Sequence, residues 1–565
     1  MRARGGESAQ FAALRAWHGG CLGRHREQVA RTPRSRTFHM RSLTFPSRLL
    51  RALPLAASIT LTACSDEDDA ADVPETIALT AEQTAELDAY LGEALGRYRV
   101  PGAAIAIVRG GNVVYERGFG VRSVESAQPV TPETLFAVGS LTKSMTSLMV
   151  ATLADDHKID WDTRATDILP SFALSDPAST PQIRVRDLLN GTSGVPRYDS
   201  PLFIRTFSPT ELIDLVSGIP TVAPPGKSFG YSSAMVAIGG YVAARAGEEP
   251  TGGSDMRSGY ERLMQERVFS PIGMASTTFD MDACLAVADH AMPHAYDGAR
   301  EAVVGTPIEV ERFVESVAPA GGAWSSLRDL ERYASTQLGG VAPNGRRIVT
   351  AKNLGELHAE AIADIPREEW PTVDRQGAGY AMGWYTMADY RGLTALSHDG
   401  NTAGFTSEVL LLPEAELAII VLANLAQANS FYGAVEQFAV ETALSLAHQG
   451  DALQVEASEQ LIGQLRDIAA SSIPVERARA LPYLGEYEHH ARVDFTSQGF
   501  VLTGDFGVIP LAEYADSGAF VRTGELEGMT FAIFDSSTHP TQVTVGAPGE
   551  DGLSQPFVLR RLAAP

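Results

Sequence analysis

The order of β-rich and helical runs is the feature that most constrains this chain. GAAIAIVRGGNVVYERGFG (102–120) gives two β-rich runs joined at Gly110-Gly111, a hairpin signal. Strand-like runs return only within 379–424, notably TSEVLLLP and ELAIIVLANL. Between them the periodicity predicts helices over 136–155, Ser208 to Val216, Ser233 to Ala246 and Ser326 to Leu338. Another helix comes first, from Thr80 to about Tyr98, with Leu87, Leu91 and Leu95 four residues apart and Pro101 closing it. A last helical stretch runs to about His448. This order is that of an α+β domain in which one sheet is assembled from both ends of the segment.

The chain has 565 residues, more than one hydrophobic core usually organises. The residues divide it into a main domain over 80–449, a helical connector over 450–479 and a small antiparallel β domain over 480–565, where short β-rich runs recur between glycines. From Met40 the sequence has Arg41, Arg48 and Arg51 ahead of an apolar stretch from about Leu53 to Ala63, a signal-peptide profile over 40–63. Leu61-Thr62-Ala63-Cys64 resembles a bacterial lipoprotein processing box, so Cys64 is the expected lipidation site and the first residue after cleavage. Ser65 behind it suggests sorting to the outer membrane where the organism has one, on the periplasmic side of the cell envelope. An acidic stretch over 64–79, too poor in apolar residues to fold, reads as a tether. Residues 1–39 then read as an upstream extension from a misplaced start codon.

The formal charge is −24, and eleven of the arginines lie within the first 63 residues against Glu7 and Glu27. Without that segment 34 basic residues face 67 acidic ones, a net of −33. Such a surface repels phosphate backbones and anionic lipid, which argues against nucleic acid as a partner and confines the expected membrane contact to the lipid on Cys64. Three scattered cysteines, Cys21, Cys64 and Cys284, are too few for a disulfide framework or a zinc site. Pro293 between His290 and His294 argues against a helical ligand pair, so no metal or cofactor is expected.

Lysine is scarce, only Lys143, Lys158, Lys227 and Lys352, so a lysine inside a motif carries information. In TLFAVGSLTKSMTSLMVATL, Ser140 and Lys143 are three apart on a predicted helix and share a face, so the amine can reach the hydroxyl. A positive helix end favours an alkoxide, and a desolvated lysine can act as a neutral base. The rival nucleophile is Ser228 in Gly226-Lys227-Ser228-Phe229-Gly230, a literal match to a nucleophile elbow. That elbow needs a preceding strand, and TVAPP cannot be a central one, so it reads as a turn. Tyr231-Ser232-Ser233 follows at the start of an apolar helix, where a phenol held near a lysine can relay a proton. His398-Asp399-Gly400 lies near a strand, with Gly400 expected to let substrate approach the backbone.

In this order the three elements resemble the serine β-lactamase-like and penicillin-binding protein family: Ser-x-x-Lys, a Tyr-x-Asn type motif, then Lys/His-x-Gly. RVRDLLNGTSGVPRY, PPGKSFGYSSAMVAIGGYVAARAG, PIGMASTTF and PAGGAWSSLRDLERYAS extend the likeness across about 82–445. It implies a five-stranded antiparallel sheet flanked by helices, a largely helical subdomain, and a cleft between them. It further implies acylation of Ser140, proton transfer by Lys143 and Tyr231, and an oxyanion hole of the Ser140 and Asn401 backbone amides, with Ser233, His398 and Gly400 at the substrate. The C-terminal domain resembles the lipocalin-like appendages of some members.

Three departures matter. Ser233 stands where the family usually has Asn, a shorter hydroxyl in place of an amide. His398 replaces the lysine of class C β-lactamases, in the His-x-Gly form of the D,D-peptidase, D-amino-acid peptidase and esterase branches, and attracts a carboxylate less strongly than lysine. Asn190-Gly191 replaces a Thr-His pair. The expected function is therefore an exported serine hydrolase of esters or D-amino-acid amide and peptide bonds. The alternatives are a β-lactamase and a penicillin-binding sensor or scaffold that deacylates slowly.

Overall fold

The computed structural model describes residues 78–562 apart from 248–254, 364, 366–377, 506, 516–518, 524–530 and 547–556. The signal-peptide, tether and lipidation expectations at 1–77 lie outside the described residues, Cys64 included.

Helix α1 (Ala81–Arg97) starts where Thr80 and Gln83 exchange side-chain to backbone hydrogen bonds, a reciprocal cap that satisfies two otherwise unpaired amides. Its buried Leu87, Leu91 and Ala94 face the sheet. Strands β1 (Gly102–Arg109) and β2 (Asn112–Gly120) form the expected hairpin. The chain then crosses a helical region before returning as β3 (Gly379–Tyr380), β4 (Tyr385–Tyr390), β5 (Leu393–Asn401), β6 (Thr406–Leu412) and β7 (Leu417–Ala423). The sheet order is β2-β1-β7-β6-β5-β4-β3, every pairing antiparallel. It has seven strands where five were expected, because Gly379–Tyr380 and Tyr385–Tyr390 extend the edge beyond β5.

Alternate residues of β1 separate two cores, as the two-residue period of a strand requires. Ala103, Ile105 and Ile107 pack with α1 and with the later helix Asn429–Ala443, whereas Ala104, Ala106 and Val108 pack with the helical region. Both faces are covered, which is why β6 and β7 are buried at every residue, β7 as an unbroken apolar run and β6 with Thr406, Ser407 and Glu408 buried at its start.

The predicted helix over 136–155 is shorter than expected. Phe136–Ala137 pairs with Trp324–Ser325 as a two-residue strand, Gly139–Leu141 is a 3-10 turn, and α2 (Thr142–Asp155) follows. The apolar pattern continues through all three because all are buried, so periodicity alone cannot find the break. Residues 225–226 lie in a turn, with no strand before them, so the elbow-like sequence is not an elbow.

Helix Ala452–Ser471 occupies the connector, and Ser472–Pro474 pairs with the strand Gly507–Tyr514 of a nine-stranded antiparallel sheet, all within the unit Glu75–Pro565. This C-terminal sheet packs on residues 198–206. The rings of Tyr198 and Phe557 meet edge to face at 6.5 Å, Thr206 N donates to Asp505 at 2.9 Å, and Arg205 lies 2.9 Å from His489 Nδ1. No helix among the described residues is long and apolar enough to cross a membrane, and none of their His, Cys, Asp and Glu side chains cluster as a metal site.

Candidate active site

Ser140 lies in the 3-10 turn that leads into α2, and this turn is held from three sides. Val138 N donates to Ala323 O at 3.0 Å, Ser407 Oγ donates to Val138 O at 2.8 Å, and Thr142 Oγ1 donates to Gly139 O at 2.7 Å. Two glycines make the approach possible. Gly139 has φ +50°, and a Cβ there would stand 3.1 Å from Asn401 N, while a Cβ on Gly400 would stand 2.0 Å from Val138 O. Gly400 was expected to admit substrate; the group that fills its missing side-chain space is the protein's own backbone at Val138, with Ser407 Oγ beside it. The nucleophile turn thus lies directly against the end of β5, and Ser140 is brought beside Asn401.

One turn on, Lys143 is 1% exposed and its Nζ lies 2.8 Å from Ser140 Oγ and 2.9 Å from Ala320 O. Ser140 itself is only partly buried, so the hydroxyl is reachable while the amine behind it is not. The same Nζ lies 4.7 Å from the centre of the Tyr231 ring. Tyr231 precedes helix Ser233–Gly247 and is tied in place from an earlier loop: Gly230 N donates to Gly191 O at 2.8 Å and Gly226 N donates to Thr192 O at 2.7 Å. Asn190 Oδ1 accepts from Thr192 N and Oγ1, so the Asn190-Gly191 departure serves to brace that loop. Burial holds the Tyr231 phenol well above its usual range, with Tyr380 and Asp399 adding to the rise while a hydrogen bond with Ser140 and the charge of Arg197 oppose it. Ser233 opens the helix two residues after Tyr231, at 9% exposure.

His398 is fully buried on β5. Its Nδ1 lies 2.6 Å from Asp399 O, a group that can only accept, so this nitrogen carries the proton and Nε2 accepts from Tyr380 Oη at 3.1 Å. Burial, then the charge of Lys143, pushes its pKa down to about 3, against the bond to Asp399 O. The ring is therefore neutral throughout the physiological range. Tyr380 and Tyr385 complete an aromatic wall with Tyr231, their rings 6.3 and 6.5 Å from it. Asp399 accepts from Asn401 Nδ2 at 2.9 Å, and Asn401 Oδ1 accepts from Thr406 Oγ1 at 3.2 Å, which fixes the end of β5.

The structure thus gathers Ser140, Lys143, Tyr231, His398 and Asn401 at one place, with Gly400 inside the packing behind them and Ser233 at the adjoining helix start. Sequence reasoning missed Tyr380, Tyr385, Arg197 and the carbonyl of Ala320. Ala320 and Arg197 sit in segments already marked by resemblance, but no spacing rule distinguishes a carbonyl or a loop arginine that faces a site from one that does not. Chemically, a reachable hydroxyl backed by a buried amine and a phenol suits acyl transfer through a serine.

Comparison with known proteins agrees with this geometry. The Beta-lactamase family model matches residues 87–444. An unguisins hydrolase of Aspergillus campestris is 26% identical over 357 residues, covering 60% of this chain and 61% of that protein. Penicillin-binding protein 4 of Amycolatopsis lactamdurans is 25% identical over 348 residues, covering 59% of this chain and 84% of its own. The chain spans about six tenths of the length of the two unguisins hydrolases it matches. Among solved structures, the octameric penicillin-binding protein homologue from Pyrococcus abyssi aligns with a TM-score of 0.55 at 20% identity, over 84% of this chain and 99% of that one. SurE aligns with a TM-score of 0.52 at 22% identity, over 85% and 99%. These two show a shared fold.

Proposed function

This chain belongs to the Beta-lactamase family, a family of serine hydrolases, and from that membership we propose that it forms an acyl-enzyme on Ser140 and hydrolyses esters or D-amino-acid amide and peptide bonds. The observation that carries the reading is the 2.8 Å contact between Ser140 Oγ and the Nζ of a lysine that is 1% exposed. A buried ammonium is penalised, and the neutral amine is a base at the right distance.

Lys143 takes the proton of Ser140 as Oγ bonds to the substrate carbonyl carbon. The carbonyl π electrons move to oxygen, which the backbone amides of Ser140 and Asn401 receive. As the tetrahedral adduct collapses, the bond to the leaving group breaks and the proton reaches that group through Tyr231. Water then adds to the acyl carbonyl, giving its proton back along the same path, and the acid departs with Ser140 restored.

Ester or amide turnover is favoured over β-lactam hydrolysis by two features of the substrate side. Ser233 offers a short hydroxyl, and the imidazole of His398 is neutral, buried and already committed to Asp399 and Tyr380. Turnover of p-nitrophenyl butyrate, a D-Ala-D-Ala peptide and nitrocefin should follow that order of preference. Ser140→Ala should abolish it, and Lys143→Arg, which cannot shed its proton, should lose roughly 10³-fold or more in kcat/KM. Full activity in Ser140→Ala would exclude the mechanism.

A second reading draws on the likeness to a protein named penicillin-binding: acylation without turnover. A labelled penicillin followed by intact-mass spectrometry separates the two, since a persistent adduct favours the sensor and its rapid loss the hydrolase. For location, we propose export and anchoring through a lipid on Cys64. Partitioning of the cell product with membranes that survives Cys64→Ser would refute the anchor.

A further inference from the structure

Arg197 approaches the catalytic group from the loop between Gly194 and Ser200. Its guanidinium carbon lies 5.2 Å from the centre of the Tyr231 ring, the ring that also has Lys143 Nζ 4.7 Å from its centre. Two basic side chains therefore lie against one phenol. The site's third basic side chain, His398, adds no charge, because its Nδ1 proton is held by Asp399 O and its Nε2 accepts from Tyr380.

From this juxtaposition we propose that Arg197 is a positioning residue of the reaction: its fixed charge over Tyr231 disfavours a proton on Lys143 and favours proton loss from the phenol, and so sets the pH at which Ser140 can be activated. The inference rests on the acyl-transfer reading above.

The physical argument is Coulombic. A guanidinium keeps its proton at any pH the protein survives, so its charge is constant. A like charge in a partly desolvated site lowers the proton affinity of an amine, and an opposite charge lowers that of a phenol. Both groups are buried here, Lys143 at 1% and Tyr231 at 8% exposure, so screening by water is weak. The other groups facing the ring are known. Tyr380 and Tyr385 stand on the edge strands, His398 and Asp399 on β5, and Ser140 on the nucleophile turn. Asp399 opposes Arg197, since a carboxylate makes the phenol hold its proton more tightly.

Arg197 is also restrained. Its Nε donates to Asp199 at 2.8 Å, and both side chains are mostly buried, at 20% and 14% exposure. Tyr198 between them packs edge to face on Phe557 of the C-terminal sheet. A braced arginine loses little order on doing electrostatic work, and Asp199 moderates its field.

The test is the acid limb of the kcat/KM profile with pH for a neutral ester, p-nitrophenyl butyrate, in the full-length protein. Arg197→Gln should move the midpoint up by roughly one pH unit. Asp199→Asn, which leaves the arginine uncompensated, should move it down, and Arg197→Lys should keep it near the parent value. A purely structural role would lower the plateau and leave the midpoint where it was, which would overturn the proposal. So would a loss confined to KM for a carboxylate-bearing ester with an unmoved midpoint, since that outcome makes Arg197 a substrate anchor. If Arg197→Gln folds poorly, the downward shift in Asp199→Asn decides alone. Turnover that survives Ser140→Ala would instead remove the underlying reading, a result distinct from an unmoved midpoint in a serine-dependent enzyme.

Discussion

The phenol of Tyr380 donates to Nε2 of His398 across 3.1 Å, and this bond, with the one from Nδ1 to Asp399 O, fixes the imidazole as a single neutral tautomer. The histidine expected at the substrate is a buried ring 6.2 Å from that of Tyr231.

The burial of that ring has a consequence for stability. His398 is held near pKa 3 in the fold, against an ordinary 6.5, so between those values the unfolded chain binds a proton that the native state refuses. Its contribution is present above pH 6.5 and is lost as the pH falls toward 3. His398→Asn should show a smaller decline in unfolding free energy between pH 7 and pH 4, measured in urea, and the native His398 ring resonances should not titrate between pH 5 and 8. An imidazole that titrates near 6.5 would contradict the geometry.

Glu311 gives the opposite slope. It is 1% exposed, and neither carboxyl oxygen has a hydrogen-bond partner of good geometry among the described residues, although Thr402 and the amides of Ala403 and Gly404 are close enough to offset part of the burial. Burial raises its pKa from 4.5 to about 7. The unfolded chain releases this proton first, so native stability falls as the pH rises from 4.5 through 7, by about 3 kcal/mol for that shift. Glu311→Gln removes the titration and should gain about 2 kcal/mol on the parent between pH 5 and pH 8. Parallel stability curves would show that the carboxyl is solvated.

Gly400→Ala tests the packing of the nucleophile turn. A methyl group there would meet Val138 O at 2.0 Å and Ser407 Oγ at 2.6 Å, and neither the carbonyl that leads into the nucleophile turn nor a hydroxyl already bonded to it can yield without moving Ser140. The variant should lose about 2 kcal/mol of stability and most of its turnover. A variant of parental activity and midpoint would mean that the turn is not seated against β5.

Much of this was legible in one dimension. The first helix from its spacing of Leu87 and Leu91, the Gly110-Gly111 hairpin, the buried runs of β6 and β7 and the three-residue step from Ser140 to Lys143 are all local patterns, and local sterics and burial enforce them. The break in the helix at Phe136–Ala137 was hidden because a buried strand, a buried turn and a buried helix show the same apolar residues. The two edge strands lie inside the strand-rich range 379–424 but do not stand out there as separate runs, because short, partly polar strands carry little periodicity.

By itself, the sequence determined which groups could react: a scarce lysine one helical turn after a serine, and a tyrosine and a histidine in the right order along the chain. Only the tertiary structure decided what each would do, since the charge state of an imidazole and the reach of an arginine depend on neighbours that no local pattern pairs with them. Folding brought Tyr380 to His398 and Arg197 to Tyr231, and among buried side chains such contacts, rather than residue type, set where the protons sit.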